Sequence, residues 1–340
     1  MKLLIIGGTS FLGRATAEEA LARGWDVTTF NRGKSDPDVD GVEALRGDRD
    51  DDEALRQLAG RPFDVVVDTC GFVPRVVAKS ARVLAGSGAQ YVFVSSISAV
   101  PTWPGQPTPE GLDGHPCKPD AGPDDGDYGE LKAGCERAVA DVFGDRATAA
   151  RAGLIIGPHE NVGRLPAWLS RIAGGGEVLA PGDPAEPMQL VDARDLAAFL
   201  LDCGEHQTGG TFNATAPPGN TTMGRWLQDC VEVTGSDASL TWVPDDVLLE
   251  HGVEPWTELP LWMPKGASGD DNGDHVWHAD ASWAAAAGLR TRPVRESVAD
   301  TWAWMQAGGS APEAPPRDYL SRHGIDPAKE QRILAAWHAR

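Results

Sequence analysis

The chain opens on an apolar run, Lys2-Leu3-Leu4-Ile5-Ile6, which breaks at Gly7-Gly8 and gives way to a helix-forming segment over 14–23, with Gly24 as its C-terminal cap. An unbroken apolar strand suits a parallel sheet covered on both faces. The alternation then repeats. Residues 25–30, 41–48, 63–71, 90–96 and 148–156 read as strands two to six, with helices predicted over 53–59, over 74–84 and from Tyr128 onward. The Tyr128 helix carries an apolar stripe at Leu131, Cys135, Ala138 and Val142. Strands alternating with helices at this spacing predict an α/β fold with a doubly wound parallel sheet, its ligands outside the carboxyl ends of the strands.

The second half changes character. Ten of the twelve tryptophans lie after residue 160, and short elements are interrupted by Pro and Gly. Helices are predicted over 165–173, 193–201, 222–234 and 327–338, with strands over 188–191 and 210–214. The expected division is a Rossmann-type dinucleotide-binding core over 1–160 and a smaller substrate-binding part over 161–306, some of whose elements return to the core. An Ala/Pro/Gly linker and a terminal helix over 307–340 follow, the helix docking on the body or on a second subunit. Residues 101–127, rich in Pro, Gly and Asp and without periodicity, form a loop long enough for a lid or a disordered segment.

Bulk properties narrow the function. The net charge of −20 repels phosphate backbones and anionic lipid heads, which argues against nucleic-acid and membrane partners. No apolar run reaches the length of a membrane span, and Lys2 leads directly into a strand, unlike a signal peptide. Cys70, Cys117, Cys135, Cys203 and Cys230 are far apart and unpaired in spacing, as expected of reduced thiols in a cytoplasmic protein.

Within the predicted strand–turn–helix, Gly7 and Gly8 let the backbone approach a pyrophosphate at the helix N-terminus, and Gly13 opens a small-residue face that presses the helix onto the sheet. Thr9, Ser10, Phe11 and Leu12 complete this cofactor-binding turn. The second strand ends in Asn31-Arg32-Gly33-Lys34, where a dinucleotide site tests the adenosine ribose. No carboxylate stands there, and Arg32 with Lys34 leans toward NADP over NAD. Asp48, at the end of the third strand, is placed to meet the adenine amino group. Cys70, Gly71 and Ser96 also fall at strand ends.

Tyr128 and Lys132 are four apart on a helix and share a face. A tyrosine's ordinary pKa near 10 makes it a poor base, but a nearby ammonium and a cationic nicotinamide ring favour the phenolate. Ser96, ending a central strand, can hydrogen-bond a substrate oxygen. Together they describe proton transfer coupled to hydride transfer at a carbinol carbon.

The chain resembles the extended and atypical short-chain dehydrogenase/reductases, which include the NAD-dependent epimerases and dehydratases. The resemblance rests on Gly7-Gly8-Thr9-Ser10-Phe11-Leu12-Gly13, Asp48, Ser95-Ser96-Ile97-Ser98, Tyr128-Gly129-Glu130-Leu131-Lys132, the run from Val191 to Ala197 and the segment from Asp280 to Pro293. It implies Tyr128 as catalytic acid/base, Lys132 as its modulator and ribose ligand, and Ser96 as polarising partner, with Ser95 the neighbouring alternative and a second cofactor contact. It implies a small, polyhydroxylated, sugar-like or nucleotide-linked substrate, and it admits a homodimer. Departures are Ser10 at the turn's fourth position, Ala152 where proline is expected and Val100 where an aromatic often stands. Ser98 and His159 are candidate substrate contacts.

Other signals are weak. Residues 270–274 hint at a calcium loop, but His275 and Ala281 break the pattern, so no metal is expected. A histidine pair at 275 and 278 lacks further ligands. The expected function is an NAD(P)-dependent oxidoreductase acting as reductase, epimerase or dehydratase. The alternative is a non-catalytic dinucleotide-binding sensor or an RNA-binding relative of the same fold. The charge opposes the RNA version and the Tyr128/Lys132 pair opposes the non-catalytic one.

Overall fold

The structure, a computed structural model, describes residues 1–265, 275–309 and 323–340. Strand β1 (Lys2–Ile6) shows why the opening run is continuous rather than alternating. Leu3 and Ile5 enter the apolar core on one face of the sheet, and Leu4 and Ile6 enter the core on the other. The chain continues through α1 (Phe11–Ala22), β2 (Asp26–Asn31), β3 (Glu43–Arg46), α2 (Asp52–Leu55), β4 (Val65–Asp68), α3 (Pro74–Leu84), β5 (Gln90–Ser96), α4 (Tyr128–Phe143) and β6 (Ala147–Ala152). Then come β7 (Leu154–Ile156), α5 (Arg164–Ala173), β8 (Glu177–Pro181), β9 (Pro187–Met188), β10 (Leu190–Asp192), α6 (Ala193–Glu205) and β11 (Gly210–Ala214). The remainder holds β12 (Thr221–Thr222), α7 (Met223–Thr234), β13 (Ser239–Val243), α8 (Asp245–Glu250), β14 (Pro255–Trp256), β15 (Leu259–Pro260), α9 (Ser282–Ala286), α10 (Val294–Gln306) and α11 (Pro327–His338).

Seven strands form one parallel sheet in the order β11-β6-β5-β4-β1-β2-β3. The winding direction reverses between β1 and β4, and a crevice opens there at the carboxyl ends. The side chains of α1 and α6 cover one face of the sheet, and those of α3 and α4 cover the other.

Three expectations change. The strand expected over 148–156 is two strands. A Cβ at Gly153 would overlap the Thr215 hydroxyl, so the chain bends there and β7 leaves the main sheet to pair with β10. The strand over 188–191 likewise divides into β9 and β10. On α4, Cys135 and Ala138 are buried as expected, but Leu131 and Val142 are half-buried, and Lys132, Ala133 and Val139 take their place on the inner face.

Residues 101–127 are neither a detached lid nor a disordered segment. Thr108 exchanges backbone bonds with His278 and Asp280 at 3.0 and 2.9 Å. The Trp103 indole donates to Val276 O at 3.2 Å, and Glu110 accepts from the backbone N–H groups of Asn213 and Trp283. The long connection is a strap tied across the end of β11.

The second half builds a separate apolar core from Trp168, Leu169, Trp226, Leu227, Trp262 and Trp277, among others. Helix α11 docks on it through Ile333 and Leu334. Most of the linker expected before that helix, and all of 270–274, lie outside the described residues. All five cysteines are unpaired thiols. No helix among the described residues is long and apolar enough to cross a membrane.

Candidate active site

The glycine turn sits at the point where the sheet reverses. Gly7 and Gly8 have φ of 113° and 97°, and added Cβ atoms would overlap Thr69 and Thr29 respectively. A Cβ on Gly13 would stand 2.8 Å from the Gly8 backbone nitrogen, so only glycine lets α1 come this close to β1. No side chain caps the N-terminus of α1. The Ser10 hydroxyl turns instead to Asp36 at 2.5 Å. Thr9, Phe11 and Leu12 are buried beneath the turn. A helix start with uncapped N–H groups beside a backbone that tolerates no Cβ fits a dinucleotide diphosphate.

The Ser-Tyr-Lys set is assembled by α4 and the end of β5. Asp127 and Glu130 form a reciprocal capping box, which fixes the helix start at Tyr128. Gly129 then presses against the turn after β5, where a Cβ would overlap the Ser98 carbonyl oxygen. This contact brings the first turn of α4 onto residues 97–99. Tyr128 is 43% exposed, and its ring centroid lies 6.4 Å from that of Phe72. One turn below, Lys132 is 3% exposed. Its ammonium donates to the carbonyls of Gly71 and Val94 at 2.8 and 2.6 Å and lies 5.0 and 4.4 Å from the Phe72 and Phe93 ring centroids. The lysine is therefore held in place by two carbonyls and two ring faces.

Ser96 donates to the Ser98 hydroxyl at 3.2 Å and accepts from the Ser98 backbone at 3.2 Å. Ser95 is different. Its hydroxyl donates to Glu136 Oε1 at 2.5 Å, so the carboxylate on α4 engages it.

The remaining expected residues divide. Gly71 is packed against Phe93 and Val77, and the Cys70 thiol lies 3.4 Å from the Ile6 carbonyl, both at the crevice floor. Asn31 bridges the Gly7 carbonyl and the Gly33 backbone at 3.3 and 2.8 Å. Arg32 and Lys34 are exposed on the rim beyond it. Asp48 is exposed and caps its own turn by accepting from Asp50 N at 3.0 Å. His159 lies with φ of 64°, its ring centroid 5.0 Å from that of Trp304. Among the described residues no group of three or more His, Cys, Asp or Glu side chains could hold a metal ion.

Two buried ion pairs escape the sequence pattern. Arg151 on β6 binds Glu136 through Nε and Nη2 at 2.9 and 2.8 Å, and its Nη1 reaches Leu112 O of the strap at 2.7 Å. Under the crevice, Arg49 grips Asp68 at 2.8 and 2.7 Å, with the Tyr91 hydroxyl donating to the same carboxylate at 2.8 Å. Burial pushes the Tyr91 phenol far up, and the Asp68 anion adds to it. Glu and Arg on a helix face or loop read as solvated surface until the fold closes over them.

Residues 3–215 match the family model described as the NAD dependent epimerase/dehydratase family, a span of more than half of the chain. The chain belongs to that family. It is an enzyme of the NAD-dependent epimerase/dehydratase type. No curated protein matches the chain. Solved structures of epimerases share its fold. A UDP-glucose 4-epimerase superposes over 92% of this chain and 100% of its own, with a TM-score of 0.68 at 14% identity. A UDP-glucose 4-epimerase from Thermotoga maritima, solved with UDP-glucose, covers 91% of this chain and 99% of its own, with a TM-score of 0.66 at 17% identity. The enzyme WbmH of Bordetella bronchiseptica, solved with NAD+, covers 91% and 99%, with a TM-score of 0.66 at 16% identity. At these identities the likeness establishes the fold alone. The parallel sheet and the family resemblance carried by the glycine turn and Tyr128–Lys132 run are thereby borne out.

Proposed function

We propose that this family member transfers a hydride at a C–OH/C=O centre of a sugar-like or nucleotide-linked substrate, with Tyr128 as acid/base. The observation that carries the proposal is the pairing of a half-exposed Tyr128 with a buried Lys132 one helical turn away. Nicotinamide, when bound, supplies a hydride acceptor and donor. The chain's own residues do the rest. Gly7, Gly8 and Gly13 admit the diphosphate, and Gly71 and Cys70 line the crevice toward the reacting end. Lys132, fixed by two carbonyls, presents its positive charge to the helix face that carries Tyr128, which favours the phenolate. Tyr128 Oη takes the proton from the substrate hydroxyl and returns it in the reverse step. Ser96 Oγ holds the substrate oxygen in line, since Glu136 already engages Ser95.

The cofactor form turns on the rim after β2. Arg32 and Lys34 are exposed there, and Arg46 is paired to Asp38. This balance favours the 2′-phosphorylated dinucleotide, NADP. UDP-glucose, which one solved relative holds, is the first substrate to try. Tyr128→Phe is expected to reduce turnover by roughly 10²- to 10⁴-fold while dinucleotide binding persists. A variant within a few-fold of wild type would refute the mechanism. Denaturing the purified protein and weighing any released nucleotide separates the reaction types. Retained dinucleotide means regeneration within each turnover, as in an epimerase or dehydratase, and an empty protein that binds NADPH from solution means a reductase.

A further inference from the structure

The carboxylate missing from the end of β2 arrives from further along the chain. Strands β2 and β3 run parallel, and Asn31 and Arg46 are partners at their last register position. The Asn31 side chain joins this strand end to the nucleotide turn, because its Nδ2 donates to Gly7 O at 3.3 Å and to Asp38 Oδ1 at 3.5 Å. Arg46 Nη1 donates to Asn31 Oδ1 and Asp38 Oδ1 at 3.0 and 3.2 Å, and its Nη2 donates to Asp38 Oδ2. Gly33 makes room for this guanidinium. It turns at φ of 64°, and an added Cβ would stand 2.8 Å from Arg46 Nε.

The segment that delivers Asp38 is itself tied to the start of α1. Ser10 Oγ donates to Asp36 Oδ2 at 2.5 Å, and Arg14 Nη1 donates to Pro37 O at 3.4 Å. Residues 36–38 therefore cross from the helix start to the ends of β2 and β3, beside the glycine turn. In a doubly wound nucleotide fold this strand end meets the 2′ position of the adenosine ribose. A carboxylate there takes a hydroxyl, and an arginine takes a phosphate. Here both groups are present and bonded to each other. Arg32 and Lys34 are exposed and must be ordered on binding, whereas Arg46 is already held by Asn31 and Asp38. Its planar fork also matches phosphate oxygens better than an ammonium does. Hydrogen bonding from Arg46 holds the Asp38 carboxyl below the ordinary aspartate range, so the anion persists at neutral pH and opposes a phosphate placed beside it.

We propose that the Arg46–Asp38 pair reads the ribose 2′ position. Arg46 takes the 2′-phosphate of NADPH, and Asp38 takes the 2′-hydroxyl of NADH and limits the preference for the phosphate. The inference rests on the dinucleotide reading above. It moves the discrimination from Arg32 and Lys34 to a pair contributed by the end of β3 and the segment after β2. The chain accepts both cofactors, with NADPH the tighter.

The test is the dissociation constant of NADPH and of NADH, from nucleotide fluorescence at fixed ionic strength. The proteins are wild type, Arg46→Ala, Arg46→Lys, Asp38→Asn and the double variant Arg32→Ala with Lys34→Ala. The readout is the ratio of the two constants, which a general loss of stability does not move. Arg46→Ala is expected to weaken NADPH by roughly 10- to 100-fold and NADH by less than about threefold. Arg46→Lys, which keeps the charge and loses the fork, should recover part of the NADPH affinity. Asp38→Asn should tighten NADPH by roughly three- to tenfold and weaken NADH by roughly two- to fivefold. The double variant should shift the ratio less than Arg46→Ala does. If wild type binds NADPH and Arg46→Ala keeps the wild-type ratio, or the double variant shifts it more, the pair is refuted and the dinucleotide reading stands. If wild type binds NADH but not NADPH, the pair is refuted and the hydride mechanism stands. If wild type binds neither nucleotide, both fall together.

Discussion

Single atoms decide whether the candidate site forms. The Gly129 α-carbon lies so near the Ser98 carbonyl that one methyl group would force the first turn of α4 away from the end of β5. Tyr128 rides on that turn. Gly129→Ala is therefore expected to cost about 1–3 kcal/mol of stability and more than tenfold in turnover, measured by urea unfolding and by initial rates. Gly86→Ala, whose added methyl meets nothing within 4 Å and whose backbone is not left-handed, is the control for the steric effect. Asp192 gives a second prediction, of pH dependence. Burial alone would raise its carboxyl, but hydrogen bonds from Arg194 and Ser297 outweigh burial and hold it below the ordinary aspartate range. A depressed carboxyl stabilises the fold above its unfolded pKa, and that contribution disappears as pH falls through the folded value. Asp192→Asn should thus be about 3 kcal/mol less stable than wild type at pH 7. The gap should narrow steadily below about pH 4, as read from denaturant midpoints across that range.

At the level of elements, the helices and strands that sequence periodicity locates well are those whose ends carry their own chemistry. Pro74 starts α3, Asp326 caps α11, and the Ser-Ser break ends β5. The misjudged places depend on partners distant in sequence. Gly153 bends the chain because Thr215 stands against it, and the strap over 101–127 is held by backbone groups near 278–283. The site divides in the same way. Its glycine turn and Tyr-Lys spacing are local and legible, whereas Glu136–Arg151 joins two elements and the strap through charges that look solvent-bound in isolation. The terminal helix shows how such a charge anchors an element. Glu330, 3% exposed on α11, accepts from Leu179 N at 2.9 Å and from Arg171 Nε at 2.6 Å. Glu330→Ala leaves two donors without an acceptor, and it is expected to destabilise the chain by about 2–4 kcal/mol. Glu330→Gln, which can still accept from Leu179, should recover part of that loss in the same urea titration.

The whole molecule has two apolar cores but interleaved connectivity. Strand β11 comes after the first elements of the second core, yet it forms the edge of the seven-stranded sheet beside β6. Helix α6 lies on α1, with Arg23 donating to Asp202 Oδ1 at 2.7 Å, and Arg292 binds Asp195 at 2.7 Å from a distant part of the chain. The strap adds a third crossing. Neither core can open without stripping strands or ion pairs from the other, so unfolding should be one cooperative transition despite the size of the chain. The tryptophans make this measurable. Ten of the twelve follow residue 160, so their emission reports chiefly on the second half, while far-ultraviolet dichroism reports on both. The two urea curves should coincide. A saturating nicotinamide dinucleotide, at 100 times its dissociation constant, should shift both by the same free energy, about 2.7 kcal/mol. An emission curve that moved ahead of the dichroism, or that ignored the nucleotide, would show instead that the second half melts by itself.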